Sequence, residues 1–339
     1  MATPIGNVPC VSADIAMRDR WGAVMARWGI SRMQYTVDPG LYALGNPDQS
    51  SPVLVTANYK MSFDKLREAL LGRHAWILVL DTKGINVWCA AGKGTFGTEE
   101  LVHRIEVCCL KQLVDHRDLI LPQLAAPGVA AHDVTRQSGF KVNYGPIRAA
   151  DLPDYLDGGM VATPGMRRKT FTFRERSVLI PIELVGALKP GGLVLLIFFL
   201  LSGLGGPMGY WARVWQDGPW IVSALLAAIF AGAVFSPAFL PYLPGRAFSF
   251  KGFAVGLITA VALILLRDPN LMSWAGRLES LAWLLLVTSA ASYLAMNFTG
   301  ASTFSSLSGV LQEMRVALPL QIIGFAAGAL VFLAGRFVS

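Results

Sequence analysis

Residues 75–97 read AWILVLDTKGINVWCAAGKGTFG, and the order of events in that stretch decides the fold of the first half of the chain. Ala75–Thr82 is an apolar run of the length and β-branched content of a strand buried on both faces, and it runs straight into a glycine-bounded loop, 84–97. Working outward, Ser51–Asn58 (SPVLVTAN) predicts a second buried strand, with a helix over Ser62–Leu71 between the two. On the other side a helix is expected from Thr98 to about Val114, with Thr98 as N-cap and Glu99 and Glu100 in its first turn. Asp118–Leu121 and Lys141–Tyr144 predict two further short strands separated by a helical segment from about Val129 to Ser138.

Strands alternating with helices imply an α/β domain, Rossmann-like, with a mainly parallel sheet. Ligands of such sheets sit beyond the carboxyl ends of the strands, where Thr56-Ala57-Asn58, the 84–97 loop and Gly145-Pro146 all fall. In the loop, Gly84, Gly92, Gly94 and Gly97 allow close backbone approach to a large ligand, and Trp88 offers a flat apolar face. If Asn86 to Lys93 form a short helical cap, Cys89 lies near its N-terminal end, where the helix dipole and Lys93 favour the thiolate, a metal ligand. A buried structural cysteine is the competing reading of the residue alone. Lys93-Gly94-Thr95 does not match the phosphate-loop pattern, and neither His103 nor His116 has the spacing of a nucleophilic partner for a cysteine. Cys108-Cys109 reads as a buried pair of small hydrophobes on a helix. The four cysteines (Cys10, Cys89, Cys108, Cys109) form neither a CxxC pair nor a zinc spacing, and no disulfides are expected.

The whole chain of 339 residues is 54% hydrophobic and only 15% charged, but nearly all of the charge lies before residue 190. Five apolar stretches follow, roughly 190–206, 219–240, 250–266, 279–298 and 316–335, each near the length that crosses a bilayer core. The organisation expected is a cytoplasmic domain over 1–165, a basic linker over 166–189 and an all-α transmembrane domain over 190–339, with a boundary near Lys189-Pro190. The opening residues, MATPIGNVPCVSADIAMRDRWG, lack the basic and apolar regions of a secretory signal, so the first half is expected in the cytoplasm. A net charge of +7 raises nucleic acid as a partner, but the densest basic cluster (Arg167, Arg168, Lys169, Arg174, Arg176) precedes the first span and reads as positive-inside signal. With Lys189, Arg246, Lys251 and Arg315 on inner loops and Arg213, Arg267, Arg277 and Arg336 outside, the topology expected is N-in, C-out. Trp211, Trp215, Trp220, Trp274 and Trp283 fall near span ends, as interfacial rings would. Charges such as Arg267-Asp268 and Glu313-Arg315 lie at span ends, so an anchor or docking platform and a transporter are both open. The hydroxyl-rich stretch 297–306 serves equally as helix packing or as a conduit for a metal ion.

Asp81-Thr82-Lys83-Gly84-Ile85-Asn86-Val87-Trp88-Cys89-Ala90-Ala91-Gly92-Lys93 resembles the cap-helix signature of the HgcA family, the membrane-bound corrinoid proteins of microbial mercury methylation. The likeness extends to Asp38–Tyr42, Ser51–Lys60, Leu119–His132, Tyr144–Arg148 and the hydroxyl-rich membrane stretch. A related sequence is the large subunit of the corrinoid iron–sulfur protein of acetyl-CoA synthesis, which carries a cysteine-rich segment near its N-terminus and no membrane spans; here only Cys10 and five spans are found. The resemblance implies a cobamide cofactor whose cobalt is held from its lower face by Cys89. Histidine-ligated methyltransferases carry Asp-x-His-x-x-Gly, which neither Asp115-His116 nor His132-Asp133 reproduces. It also implies that Asn86, Val87, Trp88, Ala90, Ala91, Gly92 and Lys93 hold the cap against the corrin, with Thr56 and Gly145 to Ala149 on the opposite wall. The activity implied is corrinoid-dependent transfer from methyl-Co(III) to Hg(II). Its partners would be a methyl-folate-type donor protein and a ferredoxin with two [4Fe-4S] clusters, at the inner membrane. A membrane-tethered methyl carrier for another acceptor, and a membrane protein whose first domain only docks a partner, are the competing functions.

Overall fold

The structure is a computed structural model that describes residues 1–206, 209–301 and 307–338. It divides into two compact units, Met1–Lys169 and Thr170–Ser339.

The first unit opens with a two-stranded ribbon, β1 (Ala2–Thr3) and β2 (Gly6–Asn7), then β3 (Cys10–Val11), helix α1 (Met17–Arg27) and β4 (Gly40–Leu44). There follow β5 (Val53–Ala57), α2 (Lys60–Ala69), β6 (Ala75–Leu80), α3 (Val87–Lys93), α4 (Thr98–Val107), α5 (Leu110–Leu113), β7 (Asp118–Leu121), α6 (Ala131–Ser138), β8 (Lys141–Tyr144) and α7 (Leu152–Asp157). Six strands make one sheet in the order β3-β4-β6-β5-β7-β8. The four strands expected from the sequence, β5 to β8, are mutually parallel, whereas β4 runs antiparallel to β6 and pairs with the short β3 at the edge.

Both sheet faces are covered, which is why β5 and β6 are apolar without alternation. Val53, Val55, Trp76, Leu78 and Leu80 pack with Leu101, Ile105 and Val134 on one side. Leu54, Ile77 and Val79 pack with Phe63, Leu66, Leu152 and Tyr155 on the other. The chain leaves β5 on one side to form β6 and returns to the other side to form β7, so the carboxyl ends of β5 and β7 flank a topological switch point.

Two local expectations differ. The helix predicted from Thr98 to Val114 breaks where Cys109 takes a left-handed φ of 45°, giving α4 and α5. Cys108 is therefore half-buried and Cys109 exposed, not a buried pair, and burial pushes the Cys108 thiol up. The N-cap of α4 is Gly97; Thr98 is in the first turn, and its hydroxyl accepts from Ala130 N at 2.9 Å.

An N-terminal element that periodicity did not reveal, α1, is fastened by buried charge. Arg67 donates to Asp64 and Asp19, each at 2.8 Å, and to the carbonyls of Ser12 and Asp14, while Lys60 bridges Asp19 and Asp64. Burial raises the Asp19 carboxyl, but the bonds from Lys60 and Arg67 outweigh it and hold the group below the usual carboxylate value.

The second unit holds α8 (Phe173–Ser177), α9 (Ile180–Leu201), α10 (Tyr210–Phe230), α11 (Ser236–Ala238), α12 (Phe248–Arg267), α13 (Trp274–Asn297) and α14 (Leu307–Gly335), with a π-helical turn, Ala231–Phe235, joining α10 to α11. Among the described residues five helical stretches are long and apolar enough to cross a membrane: Phe173–Leu201, Tyr210–Ala238, Phe248–Arg267, Trp274–Asn297 and Ser308–Gly335. The stretch expected to be a linker, 166–189, is helical from Phe173, and Lys189-Pro190 lies inside α9 instead of marking a boundary. Helix packing rests on small residues: Gly252 and Gly256 of α12 lie against Ala295, Ser292, Ala291 and Thr288 of α13, where added Cβ atoms would collide. Trp283, expected at an interface, is instead buried against Phe332. Asp217, in the second turn of α10, joins Arg267 at 2.9 Å and Arg336 at 2.8 Å, and Arg267 also meets Glu279 at 3.2 Å. These charges gather at one end of the bundle. Of the hydroxyl-rich stretch, residues 302–306 lie outside the described residues.

Arg67→Ala leaves Asp19 and Asp64 short of a buried cation, and a loss of about 3–5 kcal/mol is expected at α1. Limited proteolysis of the full chain should then cleave before residue 36 far faster than in wild type. Because the folded Asp19 carboxyl is lowered, its contribution is complete at neutral pH and is lost as pH falls through that lowered value, so the wild-type segment should also loosen in acid.

Candidate functional site

The site is built where β6 hands over to α3. Asn58, one residue past β5, is buried, and its side-chain Oδ1 accepts from Thr82 N at 3.2 Å and Gly84 N at 3.0 Å, with the Thr82 hydroxyl at 2.8 Å. Its Nδ2 donates to Asp81, whose carboxyl is held low by the bond from Lys83. The turn so fixed needs a left-handed φ of 71° at Gly84, where a Cβ would also lie 2.8 Å from the Met33 carbonyl oxygen.

The chain then enters α3. Asn86 is its N-cap, and the Asn86 side chain accepts from Cys89 N at 2.9 Å. Gly94, at a φ of 80°, ends the helix. Seven residues give α3 two unlike sides. Ala90 and Ala91 are buried in the core with Phe96, and Gly128 of the β7–α6 connection approaches so closely that a Cβ there would collide with Phe96 O and Ala91. Cys89, Gly92 and Lys93, spaced as neighbours on one helical face, are all exposed, and nothing stands over Gly92 within 4 Å of where a Cβ would be. Cys89 is thus a surface thiol, not a buried structural one.

Beside the amino end of α3 lies a cavity of 370 Å³ at the carboxyl ends of β5 and β7. Thr56, Asn86, Val87, Trp88, Pro146, Ile147 and Ala149 line it, together with residues the sequence did not assign to the ligand: Met61, Ser62, Lys65 and Leu66 of α2, and Pro122 and Leu124 after β7. Of the residues expected to bind a ligand, Cys89, Gly92 and Lys93 lie on the open face next to the cavity. Ala90, Ala91 and Gly145 sit behind it: Gly145 is buried, its N–H bonded to Leu121 O at 2.8 Å. The sequence places Asn58 at this end of the sheet but does not reveal its role as the clamp on the 82–84 turn, whose only signal is an amide at the end of a buried strand. Among the described residues no group of three or more His, Cys, Asp and Glu could hold a metal ion.

Comparison with known proteins places similarity on this site. Residues 30–156 match the family model of the CO dehydrogenase/acetyl-CoA synthase delta subunit. Acetyl-CoA decarbonylase/synthase complex subunit gamma of Methanopyrus kandleri is 35% identical over 123 residues, 36% of this chain and 26% of that protein. The subunit gamma of Methanothermobacter thermautotrophicus is 32% identical over 128 residues, 37% of this chain and 28% of its own length. Subunit gamma 2 of Methanosarcina thermophila is 32% identical over 130 residues, 37% and 27% of the two chains. The chain therefore spans about a quarter of the length of the curated relatives it matches. The matched segment contains β4 to β8, the Asn58 clamp, α3 and the cavity, and it ends before the second unit.

Asn58→Ala removes the acceptor of two backbone N–H groups, and a destabilisation of about 2 kcal/mol is expected. Amide exchange over 82–93 should rise well before that of β5 or β7. Gly128→Val should loosen the same peptide by pressing on α3 from behind.

Proposed function

We propose that this chain is a membrane-bound corrinoid methyl-transfer protein in which Cys89 is the lower axial ligand of cobalt. The observation that carries the reading is the exposed Cys89 thiol on a side-chain-capped helix at the switch point, within the segment similar to subunits of acetyl-CoA decarbonylase/synthase complexes.

The residues present fit such a cofactor. A lone thiol suits a metal whose remaining positions are filled by a macrocycle, and the glycine beside it leaves room for a flat ligand across the open face. A whole cobamide does not fit into 370 Å³, so the macrocycle would lie over Cys89, Gly92 and Trp88 while the cavity takes an appended group. Bound there, the corrinoid would supply a cobalt centre able to accept a methyl group and pass it on. The protein supplies the rest. Asn86 fixes the orientation of the first helical turn and with it the Cys89 backbone. The Cys89 sulfur would hold the metal and would donate electron density to it. Thr56, Ser62 and Lys65 bring polar atoms to a lining that is otherwise mostly apolar.

Two acceptors fit. The names of the relatives favour a methyl carrier for an acceptor other than mercury, as in acetyl-CoA synthesis. Hg(II) is favoured by the resemblance of residues 81–93 to the mercury-methylation signature and by the five apolar helices that follow. On either reading a methyl-folate-type donor protein and a two-[4Fe-4S] ferredoxin serve the site, with the first unit in the cytoplasm and the spans in the inner membrane.

The test is product analysis on the full chain in membranes, loaded with cobamide and supplied with a methyl-folate donor and reduced ferredoxin. Methyl transfer should fall at least about tenfold in Cys89→Ala. Methylmercury formed from Hg(II) by wild type assigns mercury as an acceptor; methyl loading with no transfer to Hg(II) assigns the carrier role. Failure to bind any cobamide overturns both.

A further inference from the structure

Helix α1 lies before the matched segment and carries no part of the site, yet its surface is unusual. On an α-helix of 100° per residue, Asp19, Gly22, Ala23 and Ala26 share one face, and this is the face turned inward. Asp19 is locked to Lys60 and Arg67, the Tyr35 ring fills the space a Gly22 side chain would need, and Ala26 is buried. The opposite face collects Met17, Trp21, Val24, Met25 and, one residue past the helix, Trp28. Met17 is 77% exposed, Trp21 65% and Trp28 45%. Ile30 and Met33 continue the exposed apolar surface just beyond. The exposed Arg20 borders the stripe on one side and the exposed Arg18 on the other, Arg27 being half-buried, while the helix's one acid points away from it.

Small residues and a paired acid inside, a tryptophan and methionine stripe outside, and arginines along both margins invert the usual order of a soluble helix. We propose that α1 is an interfacial helix that lies on an anionic bilayer surface, its Trp21–Trp28 stripe in the headgroup–acyl boundary and Arg18 and Arg20 on lipid phosphates. Charge complementarity selects the occupant: cationic margins on an apolar stripe match anionic phospholipid, and tryptophan rings favour that depth. A bilayer is always within reach, because the same chain continues into five helices long and apolar enough to cross one. Arginine stems can cover the edges of the stripe while their guanidinium groups stay with the phosphates. The inner clamp gives the helix a fixed stance, so little ordering is left to be done at the surface.

The experiment is amide hydrogen exchange on the full chain, one copy per nanodisc, in discs of phosphatidylcholine alone and in discs containing phosphatidylglycerol. Incorporation into the disc independently reports the membrane reading of the second unit. In anionic discs, exchange over residues 17–28 should slow at least about fivefold relative to neutral discs, the worth of roughly one cationic side chain at a charged surface. The protection should disappear in Trp21→Ser/Trp28→Ser and shrink in Arg18→Gln/Arg20→Gln, whereas Trp21→Phe/Trp28→Phe should keep most of it. These side chains point outward, so exchange of β5 and β6 should stay unchanged in every variant. Equal exchange of residues 17–28 in the two lipids overturns the proposal and leaves the stripe to a protein partner. Protection that survives loss of both tryptophans overturns it as well.

Discussion

The candidate site depends on one amide side chain. Asn58 stands at the carboxyl end of a buried strand and offers a single oxygen to the backbone of Thr82 and Gly84, which belong to the neighbouring strand's exit. Buried N–H groups must find an acceptor, so the turn after β6 has one low-energy course. That course delivers Asn86 as a helix cap, and the cap sets the rotation of α3. The exposure of Cys89 follows from this chain of constraints and not from any contact made by the sulfur.

The rear of α3 completes the logic. Alanines and Phe96 are drawn into the core, and Gly128 lets the next connection close on them without a side chain between. A short helix held by its cap and its back leaves its front free for a ligand. The second unit uses different physics. Its helices meet through glycine and alanine, and a charge cluster around Asp217 ties together one end of α10, α12, α13 and α14. Loss of the Gly252 and Gly256 surface would separate helices, whereas loss of Asn58 would misdirect a loop.

The strands β5 to β8 and the helix within 86–93 were legible because unbroken apolar runs and glycine boundaries admit few alternatives. The antiparallel β4 was not, since five residues with a glycine and no flanking repeat carry no direction. The break at Cys109 depends on a left-handed backbone that cysteine composition does not announce. Helix α1 escaped because its apolar stripe faces out and its inner face is alanine, glycine and a paired aspartate, so the pattern points to the wrong side. Trp283 was misplaced because a tryptophan near a span end fits the interface and the bundle core equally well. At the site, α3 and its cysteine could be read locally. The α2 wall of the cavity and the reach of Asn58 come from residues more than twenty positions away, which only the sheet brings together.

The most direct measurement is the electron paramagnetic resonance spectrum of Co(II) in the cobamide-loaded full chain, wild type beside Cys89→His. Sulfur ligation from Cys89 predicts no nitrogen superhyperfine splitting in wild type and a three-line nitrogen pattern in the histidine variant. Nitrogen splitting already present in wild type, or identical spectra for the two proteins, would contradict ligation by Cys89.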